Sequence, residues 1–103
     1  MNAKFLFETA RTAAVDAVKT PVDGYPCGFA WVNIKPARGD FVKFLKENKI
    51  GRKDDYYGGY TISSYDVSGW NGQNMNVKEE QCYAFAAVLQ KNGINAYVQS
   101  RID

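Results

Sequence analysis

Cys27-Gly28-Phe29-Ala30-Trp31-Val32-Asn33-Ile34-Lys35 is the longest nearly unbroken apolar run outside a helical pattern. It is dense in β-branched and aromatic residues, and turn formers bracket it: Asp23, Gly24 and Pro26 before, Pro36 and Gly39 after. A run of this kind reads as a strand buried on at least one face, at the centre of a sheet. Its two parities differ. Gly28, Ala30, Val32 and Ile34 are small or aliphatic and suit close helix packing, while Phe29, Trp31 and Asn33 share the other face.

Upstream, residues 2 to 20 show helical spacing, with Leu6, Ala10, Ala13, Ala14 and Ala17 on one stripe, Val18 beside it, and a stop before Pro21. Downstream, Asp40 suits the N-cap of a short helix over residues 41 to 49 with Phe41, Phe44 and Leu45 inward. Gly58-Gly59 marks a turn, and Tyr60 to Val67 alternates well enough to be a second strand. Asn76 with Glu79 forms a capping-box pattern ahead of a helix that buries Cys82, Phe85, Ala86 and Leu89 and ends at Gly93. Ile94 to Ile102 alternates as a last strand. The expected order is α-β-α-β-α-β: one α+β domain over residues 1 to 103, a two-layer sandwich of a three-stranded sheet with about three helices gathered on one face.

Composition narrows the function classes. A chain of 103 residues with 46% hydrophobic content can bury one core, and a net charge of +2 gives little long-range field for nonspecific nucleic-acid binding. There is no histidine, so Ser–His and Cys–His nucleophilic machinery is excluded within one chain and a metal centre loses its commonest ligand. Neither metal nor cofactor is expected. Cys27 and Cys82 read as reduced thiols in or near the core, although a bridge between them is open if the long helix covers the first strand. Lys4 and Glu8 interrupt any signal-peptide core and no apolar run reaches membrane-spanning length, so the expectation is a cytoplasmic protein without membrane contact.

Combining strand parities yields the candidate site. If Ile94, Ala96 and Val98 face the helices, Tyr97, Gln99 and Arg101 face away. If Ile62 is inward, Thr61, Ser63 and Tyr65 point outward. The second sheet face then carries Phe29, Trp31, Asn33, Tyr65, Tyr97, Gln99 and Arg101, aromatic and polar together. Such a face suits a protein interface or self-association, where Trp, Tyr and Arg are favoured anchors, or the stacking of unpaired bases. One arrangement would close it: the first helix crossing over to cover it. Trp70, in the polar loop Ser68 to Asn76, is either folded onto the core edge or an exposed anchor. The segment Lys35 to Lys53 holds seven basic residues against two acidic ones, and Arg38, Lys43, Lys46, Arg52 and Lys53 could meet phosphates or an acidic partner, or only water. Catalytic signals are thin: Glu79-Glu80 sits where a helix dipole favours acids, and nothing brings Asp54, Asp55 and Asp66 together.

The block Cys27 to Val32, the turn Tyr57-Gly58-Gly59-Tyr60 and the ending Gly93 to Asp103 resemble a family of small uncharacterised proteins encoded by tailed bacteriophages. The resemblance spans nearly the whole chain and supplies no functional residues. It implies a setting, an accessory protein made in the cytoplasm of an infected bacterium and acting by binding another macromolecule. The expected function is therefore noncatalytic binding of a protein partner or of itself, with single-stranded nucleic acid as the alternative.

Overall fold

A computed structural model describes residues 2–103. In chain order the elements are α1 (Ala3–Ala17), β1 (Gly28–Ile34), α2 (Asp40–Glu47), β2 (Arg52–Lys53), β3 (Tyr60–Ser63), α3 (Ser64–Ser68), α4 (Met75–Lys91) and β4 (Ala96–Ile102). The strands form one antiparallel sheet in the order β2-β3-β1-β4. The α+β class and central place of β1 stand, but the described residues form a four-stranded sheet and four helices where three of each were expected.

Each difference has a local cause. The alternation of Tyr60 to Val67 breaks at Ser63, whose hydroxyl accepts the Asp66 N–H and caps α3, so the strand stops after four residues. α4 begins at Met75 because Asn74, not Asn76, caps it through the Val77 N–H. Asn74 is held there from outside the helix: Asp23 Oδ1 accepts the N–H groups of Gln73 at 2.6 Å and Asn74 at 3.1 Å.

Register puts Ala30, Val32 and Ile34 beside Ile62, Tyr60 and Ala96 on one face of the sheet. That face carries the core. α4 lies along β1 and β4 with Cys82, Phe85, Ala86 and Leu89 buried, and α1 packs against α4 through Leu6, Phe7, Ala10 and Ala14. Phe7, outside the expected stripe, meets Phe85 edge-on at 5.8 Å and Phe44 at 5.9 Å, while Ala17 is exposed. The first helix therefore belongs to the helix layer and does not cross to the other face. Cys27 and Cys82 are both free thiols, and burial pushes the Cys82 thiol up to about 12.

Because Phe85 is fully buried with its ring against Phe7 of α1, Phe85→Ala should cost roughly 3–5 kcal/mol of unfolding free energy. Chemical denaturation followed by far-UV circular dichroism measures this.

Candidate binding groove on the open sheet face

No helix covers the opposite face among the described residues; instead, the 54–59 turn curls over part of it. At the covered end, Asn33 is fully buried beneath Gly58-Gly59, donating its Nδ2 to the Gly58 carbonyl at 3.0 Å. Its Oδ1 has no hydrogen-bond partner. A Cβ on Gly59 would collide with that oxygen, and Gly59 holds φ at +81°, so glycine is required twice over. Tyr97, paired with Asn33 across the strands, is half-buried, and the Lys35 ammonium sits 5.7 Å from its ring.

The other end is open. A groove of about 1070 Å³ runs over β1 and β3, floored by Phe29, Trp31, Thr61 and Ser63. Trp31 is fixed by a bond from its indole Nε1 to Gln99 Oε1 at 2.8 Å, across the β1–β4 pair. The Phe29 ring has two cations beside it, Lys78 Nζ at 5.4 Å and the Arg101 guanidinium at 5.3 Å. One wall is Tyr56 and Tyr57, edge-to-face at 4.5 Å and both exposed. Asp54 orders them: its Oδ1 accepts the Tyr56 N–H at 2.9 Å and the Tyr57 N–H at 3.0 Å. Those bonds, with Tyr57 first, hold the Asp54 carboxyl below its ordinary value. Lys49, Arg52, Lys53 and Arg101 bring positive charge to the groove; Asp54, Asp55 and Asp66 bring negative charge.

The candidate residues thus separate. Phe29, Trp31 and Arg101 line the groove, Gln99 positions Trp31, and Arg52 and Lys53 stand on the rim. Tyr97 and Asn33 lie at the covered end. Tyr65 leaves the sheet altogether, because it sits on α3 and not on a strand. Trp70 lies on the α3–α4 loop, its indole against Gly72, and does not line the groove. Lys43 is exposed on α2, Lys46 places its ammonium 5.9 Å from the Tyr60 ring, and Arg38 borders a separate cleft of about 300 Å³ at one end of the helix layer. Tyr56 and Tyr57 join the groove from the Tyr56 to Tyr60 stretch, whose tyrosine- and glycine-rich composition reads in the sequence as an adaptable binding loop. Lys49, from the basic Lys35 to Lys53 segment, joins them.

No cluster of three or more His, Cys, Asp or Glu side chains suited to a metal ion occurs among the described residues, and no helix among them is long and apolar enough to cross a membrane. No family model, curated protein or solved structure matches the chain.

The lowered Asp54 value has a sign that can be checked. The unfolded carboxyl titrates near 3.8, so the turn's contribution is present above that pH and is lost as pH falls through the lower folded value. NMR titration should give an Asp54 midpoint below 3.8, with the Tyr56 and Tyr57 amide signals moving at the same midpoint. In Asp54→Asn, that amide movement should be absent.

Proposed function

We propose that this chain is a noncatalytic binding protein that takes a segment of a partner protein into the groove over β1 and β3. The observation that carries this reading is the sheet face itself. Phe29, Trp31, Tyr56 and Tyr57 gather on a surface that no helix covers, and the cross-strand Trp31–Gln99 bond and Asp54 hold it in shape before any partner arrives. Aromatic side chains held in this way bring large contact area at small entropic cost. The resemblance to small phage-encoded proteins suits the same reading, an accessory protein that acts by attachment in the cytoplasm of an infected bacterium.

Charge favours a protein partner over nucleic acid. Four cations around four aromatic rings favour single-stranded nucleic acid as a second reading, with stacking worth ~1–3 kcal/mol per base. Three carboxylates share that groove, however, and would repel a phosphate backbone at close range, whereas a polypeptide of mixed charge can satisfy both signs. Catalysis has less support: the Asp54 carboxyl is engaged by backbone donors and held ionised, the opposite of what a general acid requires.

The test compares the intact chain with a Tyr56→Ala/Tyr57→Ala variant as bait in bacterial lysate, with and without nuclease. Both tyrosines are exposed, so the variant should unfold within ~0.5 kcal/mol of the parent. The expected result is a captured protein that survives nuclease treatment, is lost with the variant and, once purified, changes the tryptophan emission of a Trp70→Phe chain, in which Trp31 is the one remaining tryptophan. Capture abolished by nuclease would favour the nucleic-acid reading, and capture unaffected by the variant would remove the groove from the binding reaction. For nucleic acid, affinity for a labelled oligonucleotide should fall with salt, and Arg52→Ala should lower the salt slope by about 1.

A further inference from the structure

The two edges of the sheet are unlike. At one end stands β2, two residues long, both of them exposed cations, the kind of edge that resists pairing. At the other end stands β4, seven residues without proline or lysine. β4 is hydrogen-bonded to β1 on one side only. The Lys35 N–H donates to the Asn95 carbonyl and the Asp103 N–H to the Cys27 carbonyl, so Tyr97, Gln99 and Arg101 direct their backbone groups to β1. Ala96, Val98, Ser100 and Ile102 therefore direct theirs outward. The Ala96 carbonyl is already engaged by Gln90 Nε2 at 2.7 Å. Val98 and Ser100 are the central pair left facing outward.

We propose that β4 pairs antiparallel with β4 of a second copy, about a two-fold axis through Gln99. Three observations choose this occupant and register. With the axis at Gln99, Val98 of each copy stands opposite Ser100 of the other, both with unengaged outward backbone groups, and four hydrogen bonds form without disturbing the Gln90–Ala96 bond. An axis at Arg101, which would pair Ser100 with Ile102, would instead set guanidinium against guanidinium. On the aromatic face the Gln99 axis sets each Tyr97 opposite the other copy's Arg101. This is the cation-over-ring contact that the chain already makes within itself at Phe29 and at Tyr97. Gln99 meets Gln99 on the axis; its Oε1 accepts from the Trp31 indole and keeps a second lone pair for the other copy's amide N–H. Along the helix side, Glu79 and Gln90 both reach β4, and Tyr83 lies on the α4 stripe between them, 61% exposed. A second copy would cover it. Because the axis stands perpendicular to the sheet, the two open grooves would end on the same side of one eight-stranded sheet.

The test is sedimentation equilibrium of three chains. The wild type should have twice the monomer mass. Ser100→Pro removes an outward N–H and nothing from the β1–β4 ladder, a position an edge strand tolerates, and should weaken dimerisation about tenfold or more. Gln99→Cys, in a Cys27→Ser background, should oxidise to a disulfide-linked dimer, since directly opposed residues on such an axis lie ~4.5 Å apart between Cα atoms. Val98→Cys in the same background should not. Circular dichroism checks that each variant is folded, and if Ser100→Pro is not, the cysteine pair decides. A monomeric wild type at NMR concentration would overturn the proposal. So would a dimer in which Gln99→Cys and Val98→Cys crosslink alike or not at all.

Discussion

The fold depends on how closely the first turn of α4 can rest on β1, and the missing side chain at Gly28 sets that distance. A Cβ there would stand 2.8 Å from the Met75 sulfur and 2.7 Å from the Arg101 carbonyl, too near for either to remain in place. With glycine, the two segments knit together: the Gly28 N–H donates to the Gln73 carbonyl at 3.1 Å and the Met75 N–H to the Pro26 carbonyl at 2.8 Å. The buried Lys78 ammonium then donates to the Gly28 carbonyl at 2.7 Å. Asp23, accepting from Gln73 and Asn74, closes the same junction from outside, and those backbone donors hold its carboxyl below the ordinary value. Everything α4 covers follows from where this junction puts it.

From that junction the two faces of β1 take opposite roles. Inward, Ala30, Val32 and Ile34 fill space under helices and carry the burial that stabilises the domain. Outward, Phe29 and Trp31 are held by directional contacts, a cation beside a ring and an indole bonded to an amide. These contacts fix orientation without sealing the surface. Asn33 is where the two regimes meet: an outward residue by parity, it is buried because the Gly58-Gly59 turn folds over it.

The parts of this arrangement legible in the sequence are those governed by period. The parities of β1 and β4 could be read because seven-residue strands with small residues on one side and rings on the other leave few alternatives. β2 could not, since two residues carry no period. The end of β3 was obscured because Tyr60 to Val67 alternates on paper, although Ser63 with Asp66 is a capping pattern that outweighs alternation once four residues have paired. The start of α4 lies two residues earlier than the Asn76–Glu79 capping pattern suggests, because Asp23, some fifty residues away in sequence, holds Asn74 in the capping place. Tyr56 and Tyr57 entered the groove through a turn ordered by Asp54, a local signal, whereas the burial of Asn33 needed the three-dimensional position of that turn.

The brevity of β2 has a consequence for growth. A sheet with two adhesive edges can add copies without limit, each new subunit presenting the surface that the last one used. Here the terminal strand on one side is a stub of two cations, too short to template a neighbour and repelled by its own kind. Whatever adds to β4 therefore finds no second docking edge behind it, and assembly by strand addition terminates instead of running on into a fibre.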